Sequence, residues 1–402
     1  MRDVVIVEGC RTAVGRMGGA LRPLHGVELA GRVITGVLER SGIDPAEINE
    51  VIMGQCRQTS DEPNVARVAA LRAGVPETAS AQTVMRQCAS GMTAVQTGAM
   101  QIMCGLSDAV LAGGVESMSN GIFYLRDGRY GLGTGSVELV DSITESQFQA
   151  QPTELYGRFG MGMTAENVAE QFGITRAEQD EFALLSQKRA VAAIDAGRFR
   201  EEIIPVCVPQ GRKKEPLCFD TDEFPRRDTD MEKLAKLPPV FRTDGKGTVT
   251  AGNSSGRNDG ASALLLMEAG KAKSLGMKPI ARIRGMATSG CDPKTMGLGP
   301  VFAAPKALAN AGLADNDLQL IELNEAFAAQ SIGCLRELKW EDKLDIINVN
   351  GGAIALGHPV GSTGCRLLVT LMYELRRRNL RYGLATLCIA GGMGQATVIE
   401  ML

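Results

Sequence analysis

Short continuous apolar runs alternate with segments of helical spacing in the first part of the chain. The runs predict buried strands over 4–7, 51–53 and 109–112, and the spacing of apolar positions predicts helices over 27–38, 64–73 and 91–103. Strands that alternate with helices are typical of layered α/β folds. The chain is therefore predicted to begin with an α/β half.

The pattern changes between about Ser119 and Lys246. This part contains a glycine-rich stretch, a polar stretch, a long helix-like stretch and a charged stretch, at 128–135, 138–154, 176–196 and 210–236. Such an insertion is expected to place functional groups on loops. Alternation then resumes, with predicted strands over 248–253, 280–285, 318–323, 346–349 and 384–389.

A chain of 402 residues is long for a single hydrophobic core, so we expect more than one domain. The second half begins near residue 276. The pattern predicts a first half made of 1–120 and 247–275, an inserted loop domain over 121–246, and a second half over 276–402.

The two predicted halves contain an internal repeat. The segment 42–48 reads like 312–318, an offset of 270, and the same offset sets Cys88-Ala-Ser-Gly91 against His358-Pro-Val-Gly361. One short match between glycine-containing segments is weak evidence, but two at one offset are harder to dismiss. Halves related by a pseudo-twofold axis would bring equivalent positions together, which predicts a thiol beside an imidazole.

Composition narrows the class of protein. The net charge of −3 gives no reason to expect nucleic acid as a partner. The ten cysteines contain no Cys-x-x-Cys pair, which argues against a metal site or a dithiol redox site. The first residues lack the features of a signal peptide, and no stretch approaches the ~20 apolar residues of a membrane helix. We therefore expect a soluble cytoplasmic enzyme with reduced thiols and no membrane partner.

A few residues have contexts that favour chemistry. Cys88 precedes a helix-like stretch, where the helix dipole and free N–H groups favour a thiolate. The chain has two histidines, His25 and His358, and His358 lies in a glycine-dense turn. Cys388 and Asn324 each end a predicted strand, and the Asn324 amide is suited to holding a water or an oxyanion. Taken singly, each residue is equally compatible with a core thiol, a turn histidine or a helix cap.

Seven short motifs occur together in an order that resembles the thiolase family across the whole chain. They are Cys88-Ala-Ser-Gly91, Gly113-Gly-Val-Glu-Ser-Met118, Met161-Gly-Met-Thr-Ala-Glu-Asn167, Thr250-Ala-Gly-Asn-Ser-Ser-Gly256, Asn324-Glu-Ala-Phe327, Gly357-His-Pro359 and Cys388-Ile-Ala-Gly-Gly-Met-Gly394. The resemblance implies an α/β fold of five layers, α/β/α/β/α, with two similar halves and an inserted loop domain. It also implies chemistry on acyl-CoA.

The resemblance assigns a role to each candidate residue. Cys88 would be the acylated nucleophile, and His358 would activate it and then polarise a thioester carbonyl. Cys388 would be the base that removes the α-proton of a second acyl-CoA. Asn324 would hold a water that forms one oxyanion hole with His358, and the backbone N–H groups of Cys88 and Ala390 would form the other.

The resemblance also implies partners. Acyl-CoA and CoA would be substrates, with no metal and no cofactor. Arg226 would approach the ADP part of CoA, Ser255 the pantetheine, and Met161 and Phe327 the pantetheine or acyl end; the basic run 212–214 adds a possible attraction to phosphate. Members of the family assemble, so a homodimer or homotetramer is expected.

The leading interpretation is an acetyl-CoA C-acetyltransferase, which condenses two acetyl-CoA reversibly to acetoacetyl-CoA and CoA. The alternative is a degradative 3-oxoacyl-CoA thiolase that accepts longer chains. Gly160, Met85 and Ala390 depart from residues frequent in the family, which are a histidine, an asparagine and a glycine. Gly160 and the segment Arg86-Gln87-Cys88 favour the alternative, whereas the loop motifs and the carboxyl-terminal motifs favour short chains.

Three other classes fit less well. A non-catalytic lipid carrier of this fold should lack a catalytic thiol, and a decarboxylating ketosynthase should have a second catalytic histidine, whereas His25 lies in an early turn. An NAD-dependent oxidoreductase is suggested only by Gly131-Leu-Gly-Thr-Gly135, which lacks the strand, helix and downstream acid of a dinucleotide site.

Overall fold

The computed structural model describes residues 2–211 and 214–402, so Arg212 and Lys213 of the basic run lie outside the described residues. The described strands are β1 (Val4–Thr12), β2 (Gly15–Arg16), β3 (Glu50–Gly54), β4 (Ser80–Val84), β5 (Ala109–Ser117), β6 (Phe123–Leu125), β7 (Leu139–Asp141), β8 (Ile203–Ile204), β9 (Val206–Val208), β10 (Leu217–Phe219), β11 (Asn258–Glu268), β12 (Ala281–Gly290), β13 (Leu320–Leu323), β14 (Tyr382–Ile389) and β15 (Met393–Met401). The described α-helices are α1 (Gly26–Ser41), α2 (Val65–Arg72), α3 (Ser90–Met103), α4 (Ser142–Phe148), α5 (Thr153–Tyr156), α6 (Met161–Phe172), α7 (Arg176–Asp195), α8 (Met231–Ala235), α9 (Ala269–Ser274), α10 (Gly299–Ala311), α11 (Ala328–Leu338), α12 (Ala353–Leu356) and α13 (Val360–Arg378).

The strand order repeats between the two halves. The first half has the order β4-β3-β5-β11-β1, and the second has β13-β14-β15-β12. In the first half β3 and β5 are parallel and β11 is antiparallel to β5 and β1; in the second, β13 and β14 are parallel and β15 is antiparallel to β14 and β12. The two sheets join where Val5 and Ile6 of β1 pair with Arg282 and Ala281 of β12.

The repeat has the register expected from the sequence. The strands β3 and β13 begin at Glu50 and Leu320, and the helices α3 and α13 begin at Ser90 and Val360, so both pairs differ by the predicted 270 positions. Equivalent segments therefore form equivalent elements.

Alternate residues of each central strand face two different cores. In β1, Val4 and Ile6 pack in a central core with α3 and α13, whereas Val5 and Val7 pack in an outer core with α1 and α2. On the other side of the central core, the second sheet packs against α10 and α11 in a third core. Strands buried on both faces read as continuous apolar runs, which explains their sequence signal. The predicted five-layer α/β/α/β/α arrangement is confirmed.

Two predicted strands are wrong, and three of the longer strands were not predicted. Residues 248–253 form no strand, because their backbone N–H groups donate to side chains and not to a neighbouring strand. Glu166 accepts hydrogen bonds from the N–H groups of Thr248 and Val249, and Asn253 accepts one from that of Thr250. The longer strands that were not predicted are β4, β11 and β15, and the first residues of β11 are polar but buried. At 346–349, only Ile347 pairs, through a single bridge to Ile321.

The inserted segment packs against both halves, since Ser186 of its helix α7 donates a hydrogen bond to Glu325 of the second half and other contacts reach the first. The strand β8 pairs with β1, and the buried guanidinium of Arg11 donates hydrogen bonds to Glu202 at 2.6 Å and Asp222 at 2.7 Å. Among the helices in the described part of the chain, none combines the length and the apolar character needed to cross a bilayer.

Candidate active site

Cys88 and His358 line one cavity of about 180 Å³. Ala390 lines the same cavity, as do three residues expected to contact CoA: Met161, Ser255 and Phe327. The repeat thus brings together the two positions that it matched. Cys388 and Asn324 do not line this cavity and are fully buried at the ends of β14 and β13.

Glycines allow the starts of α3 and α13 to meet. A Cβ atom on Gly91 would lie 2.8 Å from the carbonyl oxygen of Gly361, and a Cβ atom on Gly114 would overlap the same oxygen. Only a residue without a side chain fits such an approach. Because Gly91 and Gly361 are equivalent positions of the repeat, their contact sets the distance between the segments that carry Cys88 and His358.

Cys88 lies in a tight turn just before α3. Gln87 has a φ of 45°, which is uncommon for a residue other than glycine and is maintained only when its surroundings impose it. The Ser90 hydroxyl provides that constraint: it accepts a hydrogen bond from the N–H of Arg86 at 2.8 Å and donates one to the carbonyl of Gln87 at 2.7 Å.

The Cys88 sulfur is a neutral thiol at rest. Its own N–H and that of Ala390, the two groups expected to form an oxyanion hole, donate towards the sulfur and lower its pKa, as does the guanidinium of Arg57. Burial is the largest effect, however, and the net result is a raised pKa. The thiolate expected from the helix start is therefore not the resting form. It must form when a base removes the proton.

The side chain of His358 is held in one tautomer. Its Nδ1 atom lies 2.7 Å from Oγ1 of Thr363, and the Thr363 hydroxyl donates its proton to the carbonyl of Pro359 at 2.9 Å. The hydroxyl has a single proton, so it accepts from His358, and Nδ1 is the protonated nitrogen. We infer that Nε2 bears the free lone pair. In the described part of the chain Nε2 has no hydrogen-bond partner.

The imidazole is also neutral. Burial, and secondarily the charge of Arg366, lowers the pKa of His358 to about 3. Its backbone is fixed because its N–H donates to Asn258 Oδ1 at 2.9 Å and because Gly357, at φ +97°, leaves no room for a side chain against Asn258. The neutral thiol of Cys88 can therefore give its proton to the free Nε2 atom of His358.

Cys388 is a second thiol close to the first. Burial raises its pKa well above the ordinary value, and the neighbouring thiols Cys88, Cys334 and Cys291 raise it further. Leu387 and Ile389 on either side face the central core, so Cys388 points to the opposite face of β14.

The side chain of Asn324 has free hydrogen-bonding capacity. Its backbone N–H donates to Thr386 at 3.0 Å, but neither atom of its buried amide has a partner among the described residues. A buried amide is usually satisfied, so this group is suited to binding an oxygen atom or a water. The carboxylate of the neighbouring Glu325 makes no hydrogen bond to this amide; it accepts hydrogen bonds from Ser186 and Asn348.

Arg226 is apart from the other predicted CoA residues. It is exposed and lines a separate cavity of about 130 Å³, together with Lys233. Gly160 precedes α6, and a Cβ atom there would lie 3.3 Å from the ring of Phe148, so this ring lies beside the position where the family often has histidine.

The sequence did not reveal several residues that hold this site. Thr363 follows His358 by five residues and lies in the first turn of α13, and this closeness in the sequence offered a signal. No local pattern in the sequence pointed to Asn258, Glu116 or Arg57 as site residues, because their contacts join segments that are far apart in the chain.

Comparison with known proteins assigns the chain to a family. The model of the thiolase N-terminal domain matches residues 4–270, and that of the thiolase C-terminal domain matches residues 277–401. The chain belongs to the thiolase family. The acetyl-CoA acetyltransferase of Chromobacterium violaceum is 51% identical over 398 residues, which cover 99% of both chains.

Solved thiolase structures have the same fold. The Bacillus anthracis acetyl-CoA acetyltransferase superimposes with a TM-score of 0.95 at 46% identity and covers 100% of this chain and 99% of its own. A human mitochondrial 3-ketoacyl-CoA thiolase in complex with CoA has a TM-score of 0.93 at 41% identity, with coverage of 100% and 98%.

Proposed function

We propose that this thiolase is an acetyl-CoA C-acetyltransferase, which converts two acetyl-CoA reversibly into acetoacetyl-CoA and CoA. The observation that carries the proposal is the cavity in which the Cys88 thiol and the neutral imidazole of His358 lie together. The names of the bacterial relatives, including the one from Chromobacterium violaceum, support the choice of acetyl-CoA.

In the first stage Cys88 becomes acetylated. Nε2 of His358 takes the thiol proton as the sulfur attacks the thioester carbonyl. The bond from Cys88 to the acetyl carbon forms, the bond to the CoA sulfur breaks, and the CoA thiolate takes the proton of Cys388, so Cys388 becomes a thiolate while His358 keeps its proton on Nε2. The imidazole first accepts the proton at Nε2 and then donates a hydrogen bond from the same atom. We propose that the amide of Asn324 binds the water that, together with His358, forms one oxyanion hole.

In the second stage a carbon–carbon bond forms. Cys388, as a thiolate, removes a methyl proton from a second acetyl-CoA, and the resulting carbanion attacks the acetyl group on Cys88. The oxyanion formed there lies between the N–H groups of Cys88 and Ala390, which already point at the sulfur. The bond to Cys88 then breaks, and its thiolate takes back the proton held by His358, which leaves both thiols and the imidazole neutral as at the start.

The second candidate is a 3-oxoacyl-CoA thiolase of broader chain length, favoured by the likeness to the human 3-ketoacyl-CoA thiolase. Thiolysis of 3-oxoacyl-CoA substrates of increasing length separates the two. We expect the highest kcat/KM with acetoacetyl-CoA and measurable rates with somewhat longer chains. Equal or higher efficiency with a medium chain would assign the enzyme to the second class.

We further propose that the enzyme works in the cytoplasm as a homodimer or homotetramer. Support for a reducing compartment comes from the cysteines, all ten of which are free thiols. Sedimentation of the purified protein tests the assembly, and a monomer at micromolar concentration would contradict it.

A further inference from the structure

Arg57 places an unpaired positive charge beside the nucleophile. It lines the same cavity as Cys88, and its backbone is fixed because its N–H donates to Glu116 at 3.0 Å. In the described part of the chain, its guanidinium makes no ion pair and no hydrogen bond, and its Nε atom is buried without a partner. Guanidinium groups in such places usually bind a carboxylate or phosphate.

The space beside Cys88 continues past Arg57. A second cavity of about 320 Å³ shares Arg57 and Ser146 with the first. Its lining combines apolar or aromatic and polar side chains, including Ile122, Tyr124, Gln58, Thr59, Ser142 and Gln149. The two cavities adjoin at Arg57, so an acyl chain on Cys88 that is longer than acetyl would extend along Arg57 towards the second cavity.

The acidic groups nearby do not use the guanidinium. Glu145 lines the second cavity, but Arg158 and Arg126 donate to it at 2.8 and 2.9 Å, and the contacts with Arg158 and Gln149 lower its pKa to about 2. Both oxygens of Glu116 accept backbone N–H groups. Burial raises the pKa of Glu116 and the charge of Arg57 opposes this, but no hydrogen bond joins the two side chains, so the donors of Arg57 remain available.

The phosphates of CoA are not the anion that fits Arg57. The predicted position of the ADP part is the cavity lined by Arg226 and Lys233, and that cavity shares no lining residue with the two that contain Arg57. We take the anion to be part of the acyl group, because the acyl group would be bound to Cys88 in the cavity that Arg57 lines.

We propose that Arg57 binds a carboxylate at the far end of the acyl chain, so that the enzyme also cleaves 3-oxoacyl-CoA substrates derived from dicarboxylic acids. This inference rests on the proposed thiolase function. In the reaction the bond between C2 and C3 breaks, acetyl-CoA leaves, and the part with the carboxylate stays on Cys88 as a thioester. CoA then takes this acyl group, and the carboxylate is unchanged.

The test compares two substrates of equal chain length, 3-oxoadipyl-CoA, which ends in a carboxylate, and 3-oxohexanoyl-CoA, which ends in a methyl group. We expect the wild type to favour the carboxylate substrate in kcat/KM by about 10- to 100-fold, as for a charge-assisted hydrogen bond made to one substrate only. The Arg57→Leu variant should lose this preference, and Arg57→Lys should retain part of it. Arg72→Leu, an exposed position on α2, is the matched control and should leave both rates unchanged.

The ratio of the two rates decides the outcome. If Arg57→Leu lowers both rates equally, Arg57 acts on Cys88 or on folding, and the inference is wrong. It is also wrong if the wild type shows no preference here and none with the one-carbon-longer pair 3-oxopimelyl-CoA and 3-oxoheptanoyl-CoA. Cleavage of acetoacetyl-CoA without a carboxylate preference overturns only this inference, whereas no thiolysis of any 3-oxoacyl-CoA overturns the proposed function. Thermal unfolding confirms that each variant is folded.

Discussion

The carboxylate of Glu116 accepts a hydrogen bond from the backbone N–H of Gly361 at 2.9 Å. The same oxygen accepts one from Cys56 at 3.2 Å, and the other oxygen accepts one from Arg57 at 3.0 Å. Glu116 is the penultimate residue of β5 in the first half, and Gly361 lies three residues after His358 in the second. One buried side chain thus joins the two halves behind the reacting groups.

Replacement of Glu116 by Gln tests this link. The amide turns one acceptor oxygen into an NH₂ donor that faces backbone N–H groups, so we expect the free energy of unfolding to fall by about 1–3 kcal/mol. Urea unfolding measures the loss, and thiolysis of acetoacetyl-CoA should slow in parallel. The exposed Glu77→Gln is the control with the same change in charge. Superimposable unfolding curves for Glu116→Gln and the wild type would contradict the proposed role.

The hydrogen bond from His358 to Thr363 predicts a dependence on tautomer. Thr363→Val keeps the shape but removes the acceptor for Nδ1–H, so we expect kcat to fall by up to about 10⁴-fold, as when a catalytic imidazole adopts the wrong tautomer. Thr363→Ser should restore most of the rate. Nitrogen-15 NMR of labelled histidine checks the cause directly, since the chain has only His25 and His358. A wild-type spectrum with the proton on Nε2 would refute the argument.

The lowered pKa of His358 predicts how stability depends on pH. Its pKa is about 3 in the folded state and about 6.5 when unfolded, so as pH falls below about 6.5 the unfolded chain takes up a proton that the folded chain does not. The stabilisation is present above about pH 6.5 and is lost as pH falls towards 3. We expect denaturant unfolding between these limits to show a steeper loss for the wild type than for His358→Asn. An NMR titration midpoint of His358 near 6.5 would contradict the prediction.

Local sequence patterns were sufficient to predict much of the fold. Strands buried on both faces, such as β3 and β14, gave continuous apolar runs, and the offset of 270 between the two halves was enough to pair Cys88 with His358. The pattern failed for β11, because Asn258 and Asp259 are buried polar residues that use side-chain hydrogen bonds, which no local pattern reveals.

The electrostatics of the site could not be predicted from short motifs. The position of Cys88 before a helix predicted a lowered pKa, but the opposite half buries the sulfur and raises it. Burial of this kind depends on which segments meet in three dimensions. The same holds for the free guanidinium of Arg57, whose significance depends on two cavities lined by residues from distant parts of the chain.

The last prediction separates the roles of the two thiols. Cys388→Ser keeps Cys88, His358 and the cavity that they line, so incubation with acetyl-CoA should still place an acetyl group on the peptide that contains Cys88. Loss of the proposed base should slow α-proton exchange and condensation by about 10²- to 10⁴-fold. Peptide mass spectrometry measures the first effect and deuterium exchange into acetyl-CoA the second. The control is Cys104→Ser, an exposed thiol that should leave both unchanged. Full proton exchange in Cys388→Ser would show that another group is the base, and stable acetylation elsewhere with Cys88 unmodified would remove Cys88 as the nucleophile.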